Sequence, residues 1–423
     1  MSFRSLIAAG MLLLVSCAAP EPEAEPEAQP KAVEQALPKA QPEPPGTAAP
    51  APADVAAGQA EFGIDIYRRL AAEPGNVFLS PASISMALGM VHSGAEGQTA
   101  AEMAAALRYP QAGVDEGMAA LLRSLPIDSE GRRVSIANAL WVQQSFQLRP
   151  DYLERIRRHY GGGARQVDFV GAPAEAVATV NRWAEEQTAG RIKAILKRDN
   201  VSERTRLVLT NAVYFKADWL SPFEAVQTRP RPFRRLDGTS VAVPMMRQRG
   251  MFRLIETPSF EAVEMPYKGE ELSMLLFLPR AGEGLKAFEQ RLDAQALRGW
   301  IDQLRSSERR DLELVVPKVE VETRASLVPQ LQALGMRRAF TELAELQGMA
   351  DARLFLSDVI HQTYLRIDEK GTEAAAVTAG MAEIVSMPRQ FHADRPFFFA
   401  IRDNRTGTLL FIGRIEEPAT PGN

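Results

Sequence analysis

The 423-residue chain has little of what metal sites and hydrolytic sites usually require, because it contains one cysteine and four histidines. One cysteine excludes an internal disulfide and a Cys-x-x-Cys metal site. His92, His159, His361 and His392 lie in no His-Glu-x-x-His motif, and no serine lies in a Gly-x-Ser-x-Gly motif. The sequence therefore predicts a protein that is not an enzyme and holds no metal. A hydrolase whose catalytic triad is dispersed along the chain stays open as an alternative.

Excess charge of one sign is lacking as well. The 49 Lys and Arg residues nearly balance the 53 Asp and Glu residues, and no basic block is interleaved with aromatic residues. The glycine triplet 161–163 is not followed by the Lys-Ser/Thr pair of a phosphate-binding loop. We therefore expect no nucleic-acid partner and no cofactor.

The only cysteine ends an N-terminal segment typical of export. Residues 1–17 contain Arg4, an apolar run over 6–15 that is too short to span a bilayer, and the sequence Leu-Val-Ser-Cys. This ending resembles the lipobox of bacterial lipoproteins, in which the cysteine becomes lipidated. We expect lipidation at Cys17 and an anchor in the bacterial cell envelope, at the outer membrane, facing the periplasm or the exterior. An ordinary signal peptide cut nearby is the alternative.

Residues 18–57 consist almost entirely of Pro, Ala, Glu and Gln. Such a composition buries too little apolar surface to fold, and its prolines favour an extended chain. At about 3.1 Å per residue, this tether could hold a domain about 100 Å from a membrane. With no second linker and no internal repeat, we expect one large domain over 58–417 and a short tail over 418–423.

Within that domain, helical patterns come early and strand patterns late, which predicts an α+β fold. Phe62, Ile66 and Leu70 recur every four residues, Ser80-Pro81 forms a helix start, and Thr99 with Glu102 suggests a capping box. Further predicted helices cover 150–160, 174–188 and 325–335. Predicted strands cover 134–142, 206–215, 272–278, 312–321, 359–368, 395–402 and 407–415.

His361 lies in one of these strands. Val359, His361, Thr363, Leu365 and Ile367 share one period-2 face, so the histidine is expected to point into the core. A buried histidine of this kind is usually held by hydrogen bonds rather than engaged in catalysis.

Five segments, in this order along the chain, resemble segments of the serpin family, and the resemblance covers residues 60–416. They are NVFLSPASISMAL (76–88), LTNAVYFKADWLSPF (209–223), MMRQRGMF (245–252), VIHQTYLRIDEKGTEAAAV (359–377) and FHADRPFFFAIRD (391–403). The resemblance implies a single domain with about nine helices, three β-sheets and an exposed reactive-centre loop. It also implies a serine protease inhibitor that works as a suicide substrate. The cleaved loop inserts into the central sheet, an established case of strand addition, while the protease stays trapped as an acyl-enzyme.

The composition of the loop segment agrees with this implication. Alternate residues from Thr372 to Ile384 are all small or apolar, and the two glutamates of the segment fall in the other set. No proline interrupts the run, so it could join a ladder of backbone hydrogen bonds. By resemblance, the hinge of the loop consists of Glu369, Gly371, Thr372, Ala374 and Ala376.

The resemblance also places the cleaved bond. Counting forward from Gly371 and back from Pro396 with the family's spacing leads to Val385-Ser386 both times. A valine at this position suits a protease with a small aliphatic pocket, so elastase-like serine proteases are the expected partners, with cysteine proteases as a further class. Ile384, Met387 and Met381 are secondary candidates.

Other positions carry over from the family. A polar cluster where the central sheet must part matches Ser80, Ser83, Asn211 and His361, and the site where insertion begins matches Trp219 and Glu369. No basic run covers 115–135, so we expect no heparin activation. We also expect a monomer. A non-inhibitory serpin acting as a binding or structural lipoprotein of the envelope is the alternative function.

Overall fold

The computed structural model describes residues 52–125, 128–129, 131–371 and 388–418. All of them belong to one compact unit. The predicted segment 1–17, most of the tether, and residues 419–423 of the predicted tail lie outside the described residues. The first helix begins at Pro52 and buries Val55 and Ala56, so ordered structure starts before the domain start predicted at residue 58. Alanines read as part of the linker are helix formers, and here they extend the helix.

The described residues contain nine α-helices, as expected, and three short 3₁₀ helices at Arg198–Asn200, Ala225–Gln227 and Arg338–Phe340. The α-helices are α1 (Pro52–Leu70), α2 (Pro81–His92), α3 (Gly97–Leu107), α4 (Val114–Ser124), α5 (Pro150–Tyr160), α6 (Pro173–Gln187), α7 (Gly284–Arg291), α8 (Ala294–Ser306) and α9 (Val328–Ala333).

The strands are β1 (Val77–Leu79), β2 (Asp128–Ser129), β3 (Arg132–Gln143), β4 (Gly163–Val167), β5 (Leu207–Ala217), β6 (Arg229–Arg234), β7 (Ser240–Glu256), β8 (Phe260–Pro266), β9 (Leu272–Pro279), β10 (Arg309–Pro317), β11 (Val319–Ser326), β12 (Leu356–Ile367), β13 (Arg389–His392), β14 (Phe397–Asp403) and β15 (Leu409–Ile415).

The described strands form two hydrogen-bonded sheets. One has six strands in the order β11-β12-β5-β3-β2, with β4 also on β3; the other has nine, in the order β1-β15-β14-β9-β8-β7-β10-β13, with β6 also on β7. The long strand β7 pairs first with β6, then with β10 and finally with β8. Two of the three predicted sheets are therefore continuous through β7. The α+β fold is confirmed.

Two local predictions need correction. The strand predicted over 312–321 is two strands in different sheets, because the chain leaves one sheet after Pro317 and enters the other at Val319. The capping box at Thr99 is wrong, since α3 begins at Gly97 and the Thr99 backbone N–H donates to Glu345 Oε2 at 3.0 Å. Glu102 instead accepts from the backbone N–H groups of Arg337 and Arg338, because tertiary partners outcompete the local cap.

The six-stranded sheet is covered on both faces. On one face its strands join the main hydrophobic core with α2, and on the other Trp141, Val208 and Ile360 pack against Trp183 of α6 and the chain that follows it. His361 points into the main core as expected, and Gln362 and Tyr364, on the opposite face, are buried too. Within the described residues, no helix combines the length and the apolar composition needed to cross a membrane.

Candidate functional site: the seam between β5 and β12

The candidate site is the seam between β5 and β12, which are parallel neighbours in the six-stranded sheet. Their register runs from Leu207 opposite Leu356 to Tyr214 opposite Tyr364. Each strand continues beyond that point, β5 to Ala217 and β12 to Ile367, while each stays paired with its outer neighbour. The two strands are therefore hydrogen-bonded along most of the seam, and their pairing stops before the strand ends that face Gly371.

The predicted polar cluster comes together under this seam. His361 and Asn211 lie directly opposite each other on β12 and β5, and His361 Nδ1 is hydrogen-bonded to Asn211 Oδ1. Asn211 Nδ2 donates to Ser83 Oγ, and Ser80 caps α2 by accepting from the Ser83 backbone N–H at 3.3 Å. The start of α2 thus holds the two central strands through their polar side chains.

Sequence reasoning missed a fifth member, Asn138. It lies opposite Asn211 on β3, and its Oδ1 accepts from Asn211 Nδ2. Asn138, Asn211 and His361 therefore form a polar row across three adjacent strands. The signal was an asparagine inside the otherwise apolar strand pattern SIANALWV, where an unpaired amide would be costly.

His361 is held in its neutral form. Its side chain is 1% exposed, and its Nε2 accepts from the Ser80 backbone N–H at 3.2 Å, so Nδ1 carries the proton and donates to Asn211. Burial lowers the pKa of His361 to about 3. The imidazole therefore has no free nitrogen to act as a base, and its orienting partner is an amide rather than a carboxylate. This geometry favours the structural role expected from the sequence over a hydrolytic triad.

Among the described residues, no group of three or more His, Cys, Asp or Glu side chains is placed to hold a metal ion.

Glu369 anchors the chain at the end of the seam where pairing stops. Its Oε2 accepts from Lys318 Nζ at 2.8 Å, its Oε1 accepts from Thr228 Oγ1 at 2.9 Å, and its carbonyl accepts from the Phe223 backbone N–H. Burial opposes ionisation, yet the hydrogen bonds, led by that of Lys318, hold the pKa of Glu369 below its ordinary value. The carboxylate is thus charged and fixed at neutral pH.

Gly371 lies between the two strand ends. It forms bridges to Asp218 just after β5 and to Asp368 just after β12. Its φ of +141° is in the region that favours glycine, and an added Cβ would meet the Ala217 carbonyl oxygen and the Asp218 Cα. Only glycine fits here, which gives the predicted hinge position a physical reason.

Trp219 seals the same end of the seam. Its indole Nε1 donates to the Asp368 carbonyl at 3.0 Å, and its ring stacks on Tyr267 with centroids 4.5 Å apart. Its backbone N–H donates to the Lys370 carbonyl at 2.9 Å. Trp219 and Glu369 are therefore neighbours beside Gly371, and their role at the start of insertion stays a prediction.

On the far side of the loop segment, the chain is held by β13. This strand pairs in parallel with β10, Phe391 is fully buried, and Arg389 forms an ion pair with Glu256. Arg389 is thus part of a paired strand, beyond the segment 372–387.

The remaining predicted site residues, Cys17, Thr372, Ala374, Ala376, Val385 and Ser386, lie outside the described residues, so those predictions stay predictions. The secondary cleavage candidates Met381, Ile384 and Met387 lie there as well.

Comparisons with known proteins agree with this geometry. The family model described as serpin (serine protease inhibitor) matches residues 57–418. An uncharacterized serpin-like protein of Thermococcus kodakarensis is 41% identical over 84% of this chain and 84% of its own length. The leukocyte elastase inhibitor of Bos taurus is 35% identical over 86% of this chain and 99% of its own length.

Among solved structures, a highly specific serpin of the insect Tenebrio molitor superposes with a TM-score of 0.77 and 27% identity. The match covers 86% of this chain and 98% of the insect protein. Family model, relatives and fold all agree, and the chain belongs to the serpin family of serine protease inhibitors.

Proposed function

We propose that this protein is an irreversible suicide-substrate inhibitor of elastase-like serine proteases. The observation that carries the proposal is the parallel seam between β5 and β12, with Gly371 placed between the strand ends where pairing stops. β5 and β12 run towards Gly371, so a strand entering after Gly371 would run antiparallel to both. Antiparallel ladders are slightly more stable per residue than the parallel pairing they would replace.

The lengths of the segments support the proposal. β5 has 11 residues and β12 has 12, and Thr372 to Val385 is slightly longer than either strand. Cleavage at Val385-Ser386 would therefore release enough chain to fill the seam from end to end. Cleavage after β13 begins would have to break the pairing with β10 as well.

The proposed target class rests on the side chain of Val385 and on the name of one relative. A small β-branched residue fits a shallow aliphatic pocket, and the Bos taurus relative is named as an inhibitor of leukocyte elastase. Cysteine proteases with similar pockets are a further class of target.

The deciding experiment mixes the purified full-length protein with an elastase, separates the products on a denaturing gel and weighs the released peptide. A stable complex together with a fragment beginning at Ser386 supports the mechanism, the bond and the target class at once. Cleavage at that bond without a complex would favour the alternative, a non-inhibitory serpin with a binding or structural role.

A hinge variant sharpens this test. Thr372→Arg would force a charge into the sheet, at a cost of several kcal/mol if its partner is missing, so insertion should slow and the inhibitor should become a substrate. Glu373→Arg is the matched control, because Glu373 belongs to the set expected to face outward. An undiminished yield of complex from Thr372→Arg would contradict loop insertion at this register.

We also propose that the mature protein is a monomer tethered to the bacterial envelope through lipidated Cys17. The support is the lipobox-like Leu-Val-Ser-Cys and the linker that follows it. Incorporation of labelled fatty acid in a bacterial host should be lost in Cys17→Ser, and retained labelling would overturn the anchor.

A further inference from the structure

Strand β6 lies at an edge of the nine-stranded sheet, because among the described strands it pairs only with β7. β6 has six residues, whereas the other two terminal strands of this sheet, β1 and β13, have three and four. A terminal strand exposes a row of backbone groups with which another chain can pair, and very short strands are poor templates for such pairing. β6 is therefore the terminal strand of this sheet that most needs protection.

Two contacts show which backbone groups of β6 point away from β7. In an antiparallel pair, opposite residues alternate between those that exchange hydrogen bonds and those that do not. The Arg234 N–H donates to the Asp394 carbonyl at 2.7 Å, so it points away from β7. Pro244 of β7, opposite Pro230, turns its carbonyl away from β6 and accepts from the Lys318 N–H at 2.9 Å. The even-numbered residues of β6 therefore face the free edge.

From Thr228 to Arg234, this edge offers no free N–H donor to an incoming strand. Two of the even-numbered positions are Pro230 and Pro232, which have no N–H group. The Arg234 N–H is already bonded, and the N–H of Thr228, just before the strand, donates to the Ala225 carbonyl at 3.2 Å. Both prolines are exposed, so packing in the core does not explain them.

Positive charge is a second obstacle at the same edge. Arg229 and Arg231 share one face of β6, and Arg234 lies on the other. Arg235, the next residue, pairs with Glu417, whereas the three arginines of the strand form no ion pair with a carboxylate of the described residues. A two-fold contact between two copies would place β6 against β6 and bring these like charges together. The backbone and the charges thus oppose the same contact.

We propose that the edge of β6 is closed to strand addition by a second copy of this chain, and that Pro230 and Pro232 are the residues that block it. A second strand would find carbonyl acceptors but no donors along this edge, so half of the usual hydrogen bonds could not form. The inference rests on the proposed monomer and does not depend on whether a protease is trapped. Two copies anchored in one membrane would meet at a raised effective concentration, which gives a closed edge its use.

The test compares full-length wild type, Pro230→Thr/Pro232→Thr and the matched control Ala242→Thr by light scattering in detergent solution at increasing protein concentration. Ala242 is exposed and lies directly opposite Pro232, so the control adds the same side chain to the same face without adding a backbone donor. We expect the double variant to associate in pairs, which doubles its mass, while wild type and Ala242→Thr keep the mass of one chain. Arg229→Gln/Arg231→Gln keeps both prolines and should also stay at that mass.

Hydrogen exchange locates the contact. The backbone N–H groups at 230 and 232 exist only in the threonine variant, and they should exchange more slowly in the associated protein than in the dilute protein. A double variant that keeps the mass of one chain would overturn the inference. Equal association of Ala242→Thr, or association with fast exchange at both positions, would overturn it as well.

The unfolding midpoint of each variant is compared with that of wild type, and Pro230→Thr alone replaces the double variant if its midpoint falls. If wild type itself associates, the proposed monomer fails, and hydrogen exchange over 229–234 still judges the edge. Exchange there that does not change with concentration supports a closed edge, whereas slower exchange at high concentration overturns it.

Discussion

The two sheets of this serpin are stabilised by different kinds of contact. The core beside β8, β9 and β14 is aromatic: Phe260, Phe277, Phe288 and Phe398 pack with neighbouring ring centroids 5.5 to 5.9 Å apart. The seam of the six-stranded sheet instead carries the polar row Asn138, Asn211 and His361. Large interlocked rings resist displacement, whereas directional hydrogen bonds can break and re-form with new partners. Under the proposed mechanism, this difference separates a sheet that stays closed from a sheet that opens to admit the cleaved loop.

Phe277→Ala gives the largest expected effect. The ring is fully buried among three other phenylalanines, so its removal leaves a cavity and should lower the free energy of unfolding by about 4 kcal/mol. Urea unfolding followed by fluorescence measures this, with the exposed Leu236→Ala as control. The fraction of protease trapped should stay unchanged. A fall in that fraction would contradict the contrast between the two sheets, because it would mean that the nine-stranded sheet also contributes to loop insertion.

Gly371→Ala tests the end of the seam where pairing stops. The methyl group would collide with the backbone after β5 in a conformation that alanine avoids, so we expect a loss of about 3 kcal/mol in unfolding free energy. Gly238→Ala is the matched control: φ is +83° there and no atom lies within 4 Å of the added carbon, so only backbone strain of about 1 kcal/mol remains. Equal losses at both positions would show that close packing at the hinge is unimportant.

Asn211→Ala removes the centre of the polar row. His361 Nδ1–H and Asn138 Oδ1 would lose their partner inside the core, so the unfolding free energy should fall by about 2 kcal/mol. If the row holds the seam closed, the variant should also lose inhibitory activity faster than wild type when incubated without protease. If the variant and wild type lose inhibitory activity at the same rate, the polar row does not control opening of the sheet.

The smallest effect is a pH dependence carried by His361. Its folded-state pKa of about 3 lies below the ordinary 6.5, so its contribution to stability is complete above pH 6.5 and is lost as pH falls towards 3. Between pH 6 and pH 5 this single group should cost about 1 kcal/mol of unfolding free energy. His361→Gln should lack that slope, and identical slopes in the two proteins would show that the histidine is not held neutral.

The sequence predicted local structure correctly where a short sequence pattern decides it. The inward face of β12 around His361 and the serine cap of α2 both follow from short-range periodicity, and both are confirmed. No strand was predicted over β6, β7 or β8. β7 contains Pro244 and Gly250 among arginines, a composition that favours loops, and it is a strand because β10 and β6 pair with it.

The family, the two agreeing counts to Val385-Ser386 and the types of residue at the hinge could all be read from the amino-acid sequence. Three features depend on the complete fold: Asn138 joins the polar row, Lys318 fixes Glu369, and β5 and β12 pair up to Tyr214 and Tyr364. The physical reason is sequence separation. Asn211 and His361 are 150 residues apart, and which strands become neighbours depends on packing the whole chain rather than on any local period.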